Sequence, residues 1–153
     1  MLPLKRIVCP TDFSEPSYEA LDAACELALQ FSSELLLVHV VTPVPIIPSS
    51  EASPSFNIPL YLEEMESSAK RSLDELIEEK ISKHIRVSPS VVQGQPADEI
   101  VRVAEEKHAD IIVIATHGRT GWRRFIFGSV AERVVRLSTC PVLTIHPPSE
   151  EAQ

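Results

Sequence analysis

Five short runs of branched apolar residues punctuate the chain, and what separates them narrows its fold more than any other feature. The runs are RIVCP at 6–10, LLLVHVV at 35–41, IRVSPSVV at 85–92, DIIVIA at 110–115 and PVLTIH at 141–146. Continuous apolar stretches of this length suit strands covered on both faces. Between the first two runs, Ala20, Leu21, Ala24, Leu27, Ala28 and Phe31 recur at helical spacings, and Leu62, Met65, Ala69, Leu73, Leu76 and Ile77 do so between the second and third. Each set is one stripe of a helix. Shorter helices are predicted over 96–107, entered through Gly94, Gln95 and Pro96, and over 129–137. Strand and helix then alternate throughout, which requires right-handed crossovers, a parallel sheet and helices on both its faces. The prediction is a single doubly wound α/β domain over 1–153.

Length agrees, because 153 residues make one well-buried core that hides roughly 70% of the unfolded surface. The stretch 42–59, with Pro43, Pro45, Pro48, Pro54 and Pro59, reads as a flexible surface loop, since the strand before it and the helix after it both belong to the sheet. The tail 147–153 is expected to be disordered. No apolar run approaches the ~20 residues of a membrane span, and Met1 to Arg6 lack the pattern of a signal peptide. A cytoplasmic location without a membrane partner is therefore expected. Cys9, Cys25 and Cys140 are odd in number and widely spaced, which suits small core residues rather than a zinc site.

A net charge of -8 argues against nucleic acid as a partner, because phosphate contacts need a basic face. Locally the balance reverses. Arg119, Arg123, Arg124, Arg133 and Arg136 fall in a segment whose one acid is Glu132, so an anion is to be sought there. Sheets of this kind bind ligands outside the carboxyl ends of their strands, where strand order reverses. The loops to watch are 10–14, 39–41 and ATHGRTGWRRFIFGSV at 115–130. In the last of these, Gly118 and the pair Gly128-Ser129 frame a place where backbone and a helix N-terminus can approach phosphate. Neither G-x-x-x-x-G-K-[ST] nor G-x-G-x-x-G occurs, which excludes a standard P-loop ATPase and a standard dinucleotide dehydrogenase.

CPTDFSEPSYEAL after the first strand, LLLVHVV, GQPADEIVRVAEEKHADIIVIATHGRTG and FGSVAERVVRLSTCPVLTI together resemble the universal stress protein family from residue 5 to 146. The signature of the family's ATP-binding branch is Gly, two residues, Gly, nine residues, Gly, then Ser or Thr. Its places here are Ala115, Gly118, Gly128 and Ser129, with alanine for the first glycine. The resemblance implies a five-stranded sheet in the order 3-2-1-4-5 with ATP, ADP or AMP across the ends of strands one and four. Pro10, Thr11 and Asp12 are implied to face adenine and ribose, with Val40 packing on the base. Ile114, Ala115, Gly118, Arg119, Gly128, Ser129 and Val130 are implied to surround ribose and phosphates. Magnesium or manganese is expected to ride on the phosphates. The resemblance also implies a homodimer through the last strand at 141–145, where Val142, Leu143 and Ile145 follow Pro141.

Each assignment has a plainer competitor. Asp12 also reads as a turn residue bonded to its own backbone. Ser129 and Glu132 spell S-x-x-E, a capping box. Alanine at 115 requires a negative φ. His39, inside an apolar strand, reads as a hydrogen-bonded core residue, and His117 has no nucleophile or acid beside it in sequence. Trp122, Phe125 and Phe127 leave lid, interface and packing open. The reading favoured is a nucleotide-binding regulatory protein of the stress response. A slow ATPase or autophosphorylating enzyme and a dimeric interaction protein without nucleotide are the alternatives, and no catalytic residue is assigned.

Overall fold

The computed structural model describes residues 3–43, 57–117 and 128–146. Nine elements follow one another there: β1 (Arg6–Pro10), α1 (Glu15–Phe31), β2 (Glu34–Val41), α2 (Ile58–Lys80), β3 (Arg86–Gln93), α3 (Pro96–Glu106), β4 (Ile111–Ala115), α4 (Ser129–Leu137) and β5 (Val142–Ile145). All strand pairs are parallel and the order is β3-β2-β1-β4-β5. Strand order reverses between β1 and β4. Chain direction across the sheet reverses with it, so right-handed crossovers place α1 and α2 on one face and α3 and α4 on the other.

Strand alternation divides the core in two. Ile7, Cys9, Leu35, Leu37, Val113 and Ala115 pack with Leu21, Ala24, Leu73 and Leu76 of α1 and α2. Val8, Leu36, Val38, Ile112 and Ile114 pack with Ile100, Val103, Ala131 and Val134 of α3 and α4. Most of these side chains are fully buried, each removing apolar area worth about 1.5 to 3 kcal/mol. The outer strands differ: β3 has no buried residue, and its Pro89, which can donate no ladder bond, fits an edge position.

The loop expected over 42–59 ends earlier than predicted. Ile58 and Pro59 already belong to the first turn of α2, where Asn57 caps the helix by accepting the Leu60 N–H at 3.2 Å. Residues 44–56, 118–127 and the tail 147–153 lie outside the described residues, and with them Gly118, Arg119 and the three loop aromatics. Among the described residues, no helix is long and apolar enough to cross a membrane.

Candidate functional site

At the carboxyl end of β1 the backbone is tightly fixed. The Thr11 N–H continues the ladder to the Val38 carbonyl at 2.8 Å. The buried Thr11 hydroxyl lies 3.0 Å from Ser17 Oγ and accepts the Phe13 N–H at 3.1 Å. Asp12 Oδ1 accepts the Ser14 N–H at 3.1 Å and the Ser14 hydroxyl, while Ser14 itself caps α1. The turn-residue competitor for Asp12 is therefore realised, and the carboxylate still lines the cleft described below. Between these residues Phe13 holds φ at 61°, a left-handed conformation costing a residue with Cβ about 1 to 2 kcal/mol. Such strain persists where surrounding bonds impose it, as they do here.

His39 is hydrogen-bonded, as expected of a core histidine. Its Nδ1 is 2.8 Å from the Thr11 carbonyl and its ring centroid 4.6 Å from that of Phe13. A carbonyl only accepts, so Nδ1 carries the proton. His39 also lines the cleft, in keeping with the place of 39–41 among the loops to watch.

At the end of β4, Ala115 meets the condition set by its missing glycine. The described non-glycine residues with positive φ are Phe13, Ser32 and His108, so alanine at 115 carries no left-handed strain. Beyond it the chain reaches Thr116 and His117, and α4 begins at Gly128. That glycine has φ -71° and ψ 156°, and its N–H meets the Thr116 carbonyl at 2.5 Å. Gly128 is the N-cap, which places Ser129 inside the first turn and overturns the capping-box reading. Ser129 lacks the extended conformation a cap requires, and Glu132 is paired with Arg136 instead. With no side-chain cap, the positive end of α4 and its first-turn N–H groups lie where Ser129, Val130 and Ala131 line the cleft.

These segments enclose a cleft of about 500 Å³ at the carboxyl edge of the sheet. That volume falls within the roughly 300 to 1,000 Å³ usual for small-molecule sites. Pro10, Thr11, Asp12, Val40, Ile114, Ala115, Gly128, Ser129 and Val130 all line it. Sequence reasoning missed Met65, Pro96 and Ile100, which complete the wall from α2 and α3, and did not single out Thr116 within the watched loop 115–130. Val40, Met65, Ile100 and Ile114 supply apolar surface; Asp12, His117, Ser129 and the start of α4 supply polarity.

Two expectations change. Arg133 is held by Asp98 of α3, with contacts of 3.0, 2.9 and 3.2 Å, and Arg136 by Glu132, so neither belongs to a free basic cluster. His117 does have close neighbours: its Nδ1 is 3.0 Å from Thr116 Oγ1, and His146 Nδ1 lies 3.0 Å from the same oxygen. Cys9 and Cys25 offer no nucleophile at neutral pH. Burial pushes the Cys9 thiol well up, and burial followed by the Asp22 charge raises Cys25 to about 11. Among the described residues, no group of three or more His, Cys, Asp or Glu side chains is placed to hold a metal.

The model of the universal stress protein family matches residues 3–146. Universal stress protein MJ0531 of Methanocaldococcus jannaschii is 37% identical over 147 residues, covering 96% of this chain and 85% of its own. The solved structure of MJ0577 superposes with a TM-score of 0.66 at 30% identity, over 95% of this chain and 98% of that one. A universal stress protein from Archaeoglobus fulgidus, solved in complex with dAMP, superposes with a TM-score of 0.58 at 24% identity, covering 95% and 99% of the two chains.

Proposed function

Because the chain belongs to the universal stress protein family, we propose that it is a regulatory protein of the stress response that binds an adenine nucleotide across the ends of β1 and β4. The observation that carries this reading is the chemical polarity of one cleft. Apolar Val40, Met65, Ile100 and Ile114 suit a flat base, and the uncapped start of α4 suits phosphate. A relative of the same fold was solved with dAMP, a ligand of that chemistry. Pro10, Thr11, Asp12 and Val40 take the base and ribose; Ile114, Ala115, Gly118, Arg119, Gly128, Ser129 and Val130 surround ribose and phosphates. Thr11 acts through its fixed backbone, because its hydroxyl and N–H are already engaged within the fold. Magnesium or manganese accompanies a triphosphate, held by the phosphate oxygens. The ligand's role is to order the cleft and be read by a partner, with ATP hydrolysis a weak accessory activity at most.

Mass spectrometry of the small molecules released on denaturing freshly purified protein tests this, with calorimetry of added ATP. About one adenine nucleotide per chain, or saturable ATP binding at millimolar concentration or below, is expected. Protein that is empty and also ignores ATP would end the reading.

The same proposal makes the protein a homodimer through β5. Among the described strands β5 pairs with β4 alone, and Leu143 of β5 and Val135 and Leu137 of α4 are apolar side chains 38 to 47% exposed. Unpaired edges with apolar flanks invite a second strand. Leu143→Lys is expected to convert a dimer to a monomer in sedimentation at tens of micromolar. A monomeric parent, or a variant that stays dimeric, would refute the arrangement.

A further inference from the structure

His39 stands near the carboxyl end of β2, and its ring is held from two sides. The Nδ1–H donates to the Thr11 carbonyl at 2.8 Å, and the Phe13 ring lies 4.6 Å away, centroid to centroid, at an angle of 37°. Both supports are themselves anchored. The Thr11 N–H is bonded to the Val38 carbonyl and its hydroxyl to Ser17, while Phe13 packs against the core. A carbonyl oxygen can only accept, so Nδ1 keeps its proton, and in the neutral ring the lone pair falls to Nε2. That polarity is set by the folded chain and needs no ligand.

Nε2 is also within reach. Among the described residues, the hydrogen bond of this ring is the one made by Nδ1, and no buried side-chain nitrogen or oxygen is without a partner. A ring nitrogen that has no partner in a half-buried residue therefore touches solvent, and His39 is one of the residues that line the cleft. Strand order says which end of the cleft this is. The cleft takes its sheet residues from β2, β1 and β4, in that order across the sheet, and α4 starts after β4. His39 and Val40 are on β2, the member of the three furthest in the order from β4. With phosphate at the uncapped start of α4, the part of a nucleotide left for β2 is its base. Adenine has one hydrogen-bond donor group, the exocyclic amine.

We propose that His39 is the residue by which the cleft selects adenine, with the Nε2 lone pair accepting a hydrogen bond from the exocyclic amine. The proposal rests on the nucleotide reading of this cleft for its ligand and on the Thr11 carbonyl for the direction of the bond. A purine with a carbonyl at the same carbon, such as guanine or hypoxanthine, sets one acceptor against another there. A recognition site built around a hydrogen bond discriminates in this way because the mismatched ligand leaves a desolvated polar group unpaired.

Calorimetric titration of the parent at mildly alkaline pH tests this with ATP, with purine riboside triphosphate, which lacks the amine, and with dATP, which lacks the 2′-hydroxyl. The analogue without the amine is expected to bind about tenfold more weakly than ATP, and dATP within about threefold of it. His39→Asn separates this role from a structural one, since its amide N–H can still donate to Thr11 while the acceptor at Nε2 is gone. In that variant ATP is expected to fall to the level of the analogue, the preference between the two to vanish, and the thermal melt to stay close to that of the parent. Nitrogen-15 NMR is expected to find His39 protonated on Nδ1 in the free protein, and its Nε2 resonance to move with ATP but not with the analogue. Equal affinity for ATP and the analogue in the parent, an Asn variant that keeps the preference, or a free protein with His39 protonated on Nε2 would each overturn the proposal. A loss confined to dATP would also overturn it, because the contact would then be to ribose. A parent that ignores all three ligands brings down the nucleotide reading and this proposal together, whereas one that binds ATP and the analogue alike brings down this proposal alone. Should His39→Asn fail to fold, the parent titrations and spectra still decide.

Discussion

Replacing Ser129 by Asp is expected to abolish useful ATP binding while leaving the protein at least as stable as before. Ser129 is the first residue of α4, directly after the N-cap Gly128, and its side chain makes no capping bond. A carboxylate there meets the positive end of the helix dipole, which favours the fold by about 0.3 to 1 kcal/mol. It also stands in the part of the cleft that the proposed phosphates need. Like charges forced together in a recognition site cost several kcal/mol, and about 3 kcal/mol corresponds to roughly a hundredfold in affinity. Arg133 cannot relieve the repulsion without leaving Asp98, where it is held by both carboxylate oxygens. Calorimetric titration with ATP and with adenosine, alongside a thermal melt, reads the outcome. At least a hundredfold loss for ATP, adenosine within about threefold of the parent and an unchanged or higher melting temperature is the expected pattern. Retained ATP affinity would remove α4 from the site, and an earlier melt would show that Ser129 serves the fold.

Much of this architecture was legible in the chain because the physics that forms each element is local. Branched apolar runs marked the five strands to within a residue at most ends, and the stripe from Ala20 to Phe31 marked α1. Even Pro89, awkward within a strand, agrees with β3 at an edge. Nine of the residues implied by the family resemblance line one cleft. What stayed hidden depended on backbone conformation or distant neighbours. Ser129 and Glu132 spell a capping box, but only a Ser with extended backbone angles can act as one, and the chain gives that place to Gly128. Arg133 looked free because Asp98, its counter-charge, is on another helix. Thr116 was not singled out within the loop 115–130, since its contacts are to Gly128 and to His146, 30 positions away.

Gly128 makes the sharpest case of such a hidden constraint, and Gly128→Ala is expected to destabilise the protein where the usual rule says it should help. At a negative φ, replacing glycine by alanine ordinarily stabilises by about 0.4 to 1 kcal/mol, because the unfolded chain loses freedom. The φ of -71° at Gly128 is open to any residue. The obstacle is space. A Cβ there would lie 2.9 Å from the Thr116 carbonyl oxygen and 3.6 Å from the His117 Cα, both backbone atoms that cannot swing aside. Relief requires moving the start of α4 away from β4, which strains the bond from the Gly128 N–H to Thr116. Overpacking of this kind costs about 1 to 3 kcal/mol, equivalent to a fall of roughly 2 to 12 °C in melting temperature for a domain of this size. The displaced helix start should also weaken ATP binding more than tenfold, so stability and affinity fall together, unlike in Ser129→Asp. Ala115 supplies the internal contrast, because it occupies a signature glycine place without positive φ and with its side chain packed into the core. A Gly128→Ala protein as stable as the parent would mean that α4 can shift freely, and a helix that shifts freely is a poor platform for the phosphates proposed to rest on it.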